Sequence, residues 1–269
     1  MKILLFGSTG MLGTYVLKVL SKKYQIVIIT RSDFNIELDT WDKLDKLLEK
    51  EKDEINIIVN CAGIIPQTNL QIDYRKYIQI NSLFPHKLQD ISNKYNYKFI
   101  HITTDCVFDG SKGNYDENDL HSEKKLYGVS KSIGEPETAC IIRTSIIGEE
   151  LLNKKSLLEW IISNKNKSIY GYSNHYWNGV TCLTLAKIIN EIIEKNLYWK
   201  GVKHIYSPTI VSKYELCLYI NEIYNLNINI DKFETPQISN KSLTSIYQKC
   251  FNIDDIKSQI LELSNFKLN

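Results

Sequence analysis

Lys2-Ile3-Leu4-Leu5-Phe6-Gly7-Ser8-Thr9-Gly10-Met11-Leu12-Gly13 opens the chain, an apolar run that passes directly into three glycines spaced three apart. An apolar run of that length followed by Gly-x-x-Gly-x-x-Gly and a helical pattern reads as strand, tight turn and helix. Gly7 is expected to make the turn, Gly10 to let the backbone approach a pyrophosphate, and Gly13 to let helix and strand pack closely. Ser8, Thr9, Met11 and Leu12 fill the same turn, whose helix N-terminus would face the phosphates of a dinucleotide.

Outward from that turn, short runs rich in Ile and Val at 2–6, 26–30, 56–60, 98–103 and 139–143 read as strands covered on both faces. Helical periodicity lies between them at 11–22, 40–51, 74–95 and 123–135. Alternation of this kind specifies an α/β fold, a doubly wound parallel sheet of the Rossmann type. Beyond Gly148 the pattern loosens. Helices are expected at 155–164, 182–195 and 213–225, a strand at 202–206, and short helices in the Asn-, Lys- and Ile-rich tail. The expected division is a nucleotide-binding domain over 1–148, to which 172–206 also contributes, and a smaller substrate-binding lobe over 149–269.

The bulk properties narrow the function classes. A chain of 269 residues with 43% hydrophobic content can bury a full core, and a net charge of +2 gives no reason to invoke nucleic acid or an anionic membrane. Cys61, Cys106, Cys140, Cys182, Cys217 and Cys250 show no metal-ligand or redox spacing, so a metal is not expected and a reduced, cytoplasmic setting is. No apolar run approaches the roughly 20 residues of a membrane span, and the N-terminus lacks a cleavage pattern.

Tyr127 and Lys131 are four apart in the last helix of the first half and so share a face. An ammonium beside a phenol favours the phenolate, which would prepare Tyr127 as a general acid near neutral pH. Thr103-Thr104 ends the fourth strand, and adjacent residues there point to opposite faces; Thr104 is the expected carbonyl-binding hydroxyl and Thr103 the alternative. At the end of the second strand Arg31 and Ser32 stand where an acid would hold the ribose of NAD, which favours the 2′-phosphate of NADP(H), with NAD(H) as the alternative. Asn35 and Ile36 would lie beside the adenine. The small residues Cys61, Ala62 and Gly63 after Asn60 would let a ribose approach the third strand.

Several segments together resemble the extended short-chain dehydrogenase/reductase superfamily, and within it the dTDP-4-dehydrorhamnose reductase family and its nucleotide-sugar relatives. They are 7–13, 60–63, Ile80-Asn81-Ser82-Leu83-Phe84-Pro85, Thr103-Thr104-Asp105-Cys106-Val107-Phe108-Asp109-Gly110, Lys112-Gly113-Asn114-Tyr115-Asp116-Glu117, 126–135, Arg143-Thr144-Ser145 and Tyr176-Trp177-Asn178-Gly179-Val180-Thr181. The resemblance implies NADPH-dependent reduction at C4 of a nucleotide-activated 4-keto-6-deoxy sugar, for glycan precursors. Thr104, Tyr127 and Lys131 would be the catalytic triad, with Lys131 also gripping the nicotinamide ribose and Asn81 supporting the cofactor site. Asp105 and Cys106 would contact substrate, as would Trp177 and Asn178 from the second lobe. The expected partners are that sugar nucleotide and a second copy of the chain in a homodimer. Cys106 stands where many rhamnose reductases carry Tyr. A coupled 3,5-epimerase could use a thiolate there with His175, and a non-catalytic regulatory subunit is the other rival. His86, His101, His121 and His204 read as structural or solvated, and the tyrosines of 213–225 as core and rim.

Overall fold

Ile3, Leu4, Leu5 and Phe6 of strand β1 (Lys2–Phe6) are all buried, as the centre of a sheet covered on both faces demands. Their side chains alternate. Ile3 and Leu5 join a cluster with Tyr15, Val16 and Leu20 of α1 (Met11–Leu20), and Leu4 and Phe6 join a second with Phe34, Leu44 and Phe84. The computed structural model describes residues 1–49, 54–66, 73–152 and 154–268.

The first half continues through β2 (Gln25–Ile29), α2 (Trp41–Glu49), β3 (Ile55–Asn60), α3 (Tyr74–Tyr77), α4 (Phe84–Tyr95), β4 (Lys98–Thr104), α5 (Leu126–Ile133) and β5 (Cys140–Thr144). Residues 50 and 51 of the helix expected over 40–51 lie outside the described residues. The helix expected over 74–95 is continuous but contains a π-helical stretch, Ile78–Leu83, between α3 and α4. Pro85 has no N–H to donate to the Asn81 carbonyl, and the helix widens there instead. The helix expected over 123–135 is shorter at its start. The Glu123 carboxylate accepts the Lys124 and Lys125 amides at 2.9 and 3.0 Å, holding them in a loop before the helix begins.

The second half runs β6 (Ile146–Ile147), α6 (Leu157–Ser163), β7 (Ser168–Tyr172), β8 (His175–Trp177), β9 (Val180–Thr181), α7 (Cys182–Glu194), β10 (Gly201–His204), β11 (Val211–Ser212), α8 (Lys213–Ile223), β12 (Asn229–Phe233), β13 (Ser239–Asn240) and α9 (Ile256–Asn265). The tail is thus not only helical, since β12 pairs in parallel with β7 and β13 with β8. The main sheet has the order β2-β1-β3-β4-β5-β10, every pair parallel. The chain leaves β1 in opposite directions, to β2 on one side and β3 on the other. That reversal opens a crevice at the carboxyl ends of β1 and β3, where a doubly wound sheet binds its ligands.

Candidate active site

Gly7 leaves β1 with φ +76°, a left-handed conformation that glycine adopts without strain. A Cβ on Gly7 would meet the Ala62 nitrogen at 2.5 Å, so the turn lies against the loop after β3. On Gly13 a Cβ would meet the Gly7 carbonyl oxygen at 1.9 Å, which fixes how closely α1 returns to the turn. Gly10 differs: its Cβ would find only the Gly7 oxygen, at 3.3 Å, and otherwise open space. Gly10 is the N-cap of α1, with no side-chain cap and no acid in the first turn, so the first amides face that space under the positive end of the helix dipole. An anionic pyrophosphate fits this cradle. Ser8 is buried and Thr9 exposed, while the Met11 and Leu12 side chains pack into the core, leaving only their backbone to the turn.

Arg31 and Ser32 are exposed at the tip of β2. The acid two residues beyond, Asp33, turns back to accept the Thr30 amide at 2.9 Å and hydroxyl at 2.6 Å. Arg31 has no acidic partner among the described residues, which leaves a guanidinium for an anion. Asn35 and Ile36 are anchored below: Asn35 Oδ1 accepts the Glu37 amide at 3.0 Å, and Gln79 donates to the Ile36 carbonyl at 3.2 Å. Half-buried Cys61 and Ala62 and exposed Gly63 follow β3. A Cβ on Gly63 would lie 3.5 Å from Asn81 Oδ1 and 3.9 Å from Lys131 Nζ. Asn81 is a bracket. Its amide exchanges two hydrogen bonds with the Ile64 backbone, at 2.9 and 3.0 Å, and donates to Ser130 Oγ at 3.1 Å, joining the β3 loop to α5.

Thr104, Tyr127 and Lys131 converge at the end of β4. Thr104 Oγ1 accepts the Cys106 amide at 3.2 Å and donates to Asp105 at 3.1 Å, and it faces the Tyr127 phenol. Thr103 is 3% exposed and its hydroxyl has no partner, so the alternative points into the sheet. The expected acidification of Tyr127 by Lys131 is not what sets the phenol. Burial, followed by Cys106, pushes it above its ordinary value, and the Thr104 hydroxyl opposes this only in part. Lys131 donates to the Ile102 carbonyl at 2.9 Å, and burial draws its own pKa down to about 8 against the pull of Glu135 and Cys61. Tyr127 therefore holds its proton at neutral pH beside a mostly charged Lys131, the resting state a proton donor requires.

Burial raises the Asp105 carboxyl, while Lys241 and Lys213 lower it. Burial and then Asp105 push the Cys106 thiol up to about 12, so the thiolate an epimerase base would need is absent at neutral pH. His175 is bound to Thr235 Oγ1 at 2.8 Å and packs on Tyr172, and it makes no hydrogen bond to Cys106. Trp177 and Asn178 are 4% and 3% exposed. Asn178 bonds the Leu243 backbone in both directions at 2.8 Å, so its amide ties the tail down; this replaces the expected substrate contact. Trp177 lies beneath Lys213, whose ammonium sits 4.8 Å from the ring centroid.

The segment 112–117 has a similar task. The Tyr115 amide donates to Ser242 O at 2.9 Å, and Thr244 returns a bond to Tyr115 O at 2.8 Å. Glu117 accepts from Ser245 Oγ at 2.7 Å and from the His204 and Ile246 amides at 2.8 and 3.0 Å. Buried Arg143 pairs with Glu135 at 2.6 Å and donates to His121 and His204 at 2.7 and 2.9 Å, which leaves both histidines neutral and structural. Burial lowers the pKa of each, with the Arg143 charge adding to the effect. Lys213, Lys241 and Glu123 were missed by sequence reasoning. They reach the β4 turn from remote segments, and no local spacing marks them.

A family model described as the RmlD substrate binding domain matches residues 1–243. The dTDP-4-dehydrorhamnose reductase of Aggregatibacter actinomycetemcomitans is 26% identical over 235 residues, 81% of this chain and 78% of that protein. The spore coat polysaccharide biosynthesis protein SpsK of Bacillus subtilis is 25% identical over 256 residues, 91% of this chain and 87% of that one. A crystal structure of dTDP-4-dehydrorhamnose reductase from Bacillus anthracis in complex with NADP shares the fold, with a TM-score of 0.83 and 19% identity over 98% of both chains.

Proposed function

The chain belongs to the RmlD substrate binding domain family, and from that membership we propose that it reduces the 4-keto group of a nucleotide-activated 4-keto-6-deoxy sugar with NADPH. The observation that carries the reading is the meeting of Thr104, Tyr127 and Lys131 at the edge of the β1/β3 crevice, one loop away from an uncapped glycine turn. NADPH, when bound, supplies the hydride. The turn at 7–13 would hold its pyrophosphate, Arg31 and Ser32 its 2′-phosphate, and Gly63 with Lys131 its second ribose. Thr104 would orient the ketone through its hydroxyl. Tyr127 would deliver its phenolic proton to the oxygen as negative charge develops there. Lys131, charged at neutral pH, would stabilise the phenolate left behind.

The protonated Cys106 thiol and the engagement of His175 with Thr235 favour plain reduction over coupled epimerisation. Retention of the Thr104, Tyr127 and Lys131 geometry favours an enzyme over a regulatory subunit. Names of the relatives place such reductions in rhamnose and coat-polysaccharide synthesis, and the same supply of glycan precursors is the role we assign. No helix among the described residues is long and apolar enough to cross a membrane. A cytoplasmic location and a homodimeric state complete the reading. The test is NADPH oxidation against dTDP-, UDP- and GDP-4-keto-6-deoxyhexoses, with Tyr127→Phe as the control. Reduction of none of them would overturn the proposal.

A further inference from the structure

Lys213 opens α8 directly after Ser212, and a capping box fixes that start: Ser212 Oγ accepts the Glu215 amide at 3.1 Å and Glu215 accepts the Ser212 amide at 2.7 Å. Ser212 is in register with Tyr176, and Val211 with Trp177. This arrangement lays the Lys213 ammonium on the Trp177 face, 4.8 Å from the ring centroid. Among the described residues Nζ has neither a hydrogen-bond acceptor nor an ion-pair partner. Lys241, the other lysine at the turn, is different, for it pairs with Glu123 at 3.2 Å. The Lys213 charge reaches Asp105 and Cys106, the two residues after Thr104, as well as His175. Burial pulls its pKa below the ordinary lysine value, with Asp105 and Cys106 pulling the other way.

A desolvated ammonium without an acceptor lowers stability rather than raising it. A capping box and an aromatic face nevertheless hold this one toward the reactive turn. The chemistry it lacks is an anion, and a nucleotide-diphosphate sugar carries one on C1, across the ring from the C4 ketone. We infer that Lys213 is a substrate-binding residue that takes the phosphate nearest the reacting sugar, with Trp177 as its floor. The inference rests on the reading of the substrate as a nucleotide-diphosphate sugar. Trp177, assigned to substrate by sequence, then acts through the cation above it.

Lys213→Met keeps the stem and removes the charge. One charged hydrogen bond lost predicts a rise in KM of roughly tenfold or more, with a far smaller effect on kcat. Inhibition by dTDP weakens by the same factor, inhibition by thymidine is unchanged, and Lys213→Arg restores much of the loss. NADPH affinity stays at the wild-type value and the melting temperature does not fall, since no native partner is lost. An unchanged KM and unchanged dTDP inhibition would overturn the inference, and so would equal weakening of dTDP and thymidine. If the wild type reduces no 4-keto sugar nucleotide, the proposed function falls first. Calorimetric titration of wild type and Lys213→Met with dTDP still decides the lysine: equal affinities refute it and weaker binding by the variant sustains it.

Discussion

Gly10 and Gly13 stand one helical turn apart, and replacing each by alanine separates a ligand-facing glycine from a structural one. In Gly13→Ala the new Cβ lands 1.9 Å from the Gly7 oxygen, 2.7 Å from its carbon and 2.9 Å from Ser8 Cα. All three are backbone atoms, so no side chain can swing aside and the turn must move off the helix. Overpacking of this severity costs about 3 kcal/mol, and the better helix propensity of alanine returns about 1 kcal/mol. The net loss of about 2 kcal/mol corresponds to a fall in Tm of roughly 4–8 °C for a chain of this size. Gly10 has φ −77°, which alanine tolerates, and its Cβ meets only one atom, at 3.3 Å. Gly10→Ala then costs about 0.5 kcal/mol as a poorer N-cap, roughly 1–2 °C. Its methyl group, however, stands in the space assigned to the pyrophosphate. Loss of one charged amide contact weakens NADPH roughly tenfold or more. Thermal melting without ligand and titration with NADPH measure both effects. A Gly10→Ala protein that melts as early as Gly13→Ala, or that binds NADPH like the wild type, would refute the reasoning.

Tyr127→Phe removes the proton donor and should lower kcat by about 10²–10⁴-fold, with NADPH affinity and Tm preserved; steady-state kinetics and melting check this. Because burial holds Lys131 near 8, kcat/KM should decline as pH rises through about 8, seen in a pH–rate profile. The folded state also disfavours the Lys131 proton relative to the unfolded chain, whose lysine titrates near 10.5. That penalty is present below pH 8 and disappears toward pH 10, so Lys131→Met should melt above the wild type at pH 7 and lose the advantage in alkaline buffer. Burial raises Glu117, but bonds from Ser245, His204 and Ile246 outweigh it and leave its pKa below the usual value. Its contribution is complete above the ordinary glutamate range and is lost as pH falls through the depressed folded value. Glu117→Gln should therefore loosen 239–246 at neutral pH, visible by hydrogen exchange, and flatten the acid limb of the stability curve.

What the sequence made legible was local. β1 and its glycine turn lie within one short stretch, and Tyr127 and Lys131 within one helical turn, so spacing alone announces them. Their electrostatics depend on remote atoms. The Ile102 carbonyl that attracts Lys131 and the burial that raises Tyr127 appear only when β4 and α5 meet. The motif at 112–117 was visible, but its partners, Ser242 to Ile246, follow more than a hundred residues later. β7 and β12 escaped for another reason. β7 buries only Ile169 and Gly171, too weak an alternation to read, and its partner strand is mostly polar. Asn178 looked like a ligand-binding amide because a buried backbone clamp and a substrate contact call for the same side chain.

The widened helical turn at Ile78–Leu83 has a mechanical result. Asn81 grips the β3 loop and α5 at once, and Gly134 lets α5 approach the Asn81 carbonyl so closely that a methyl group there would overlap it, at 1.8 Å. The shelf for the nicotinamide end and the helix bearing the acid are thereby parts of one frame. Thermal drift carries both together, and the gap a hydride and a proton must cross is conserved through every breathing motion. Sugar admission then has to come from the strap at 239–246, whose fastenings are hydrogen bonds at the rim and not the frame itself.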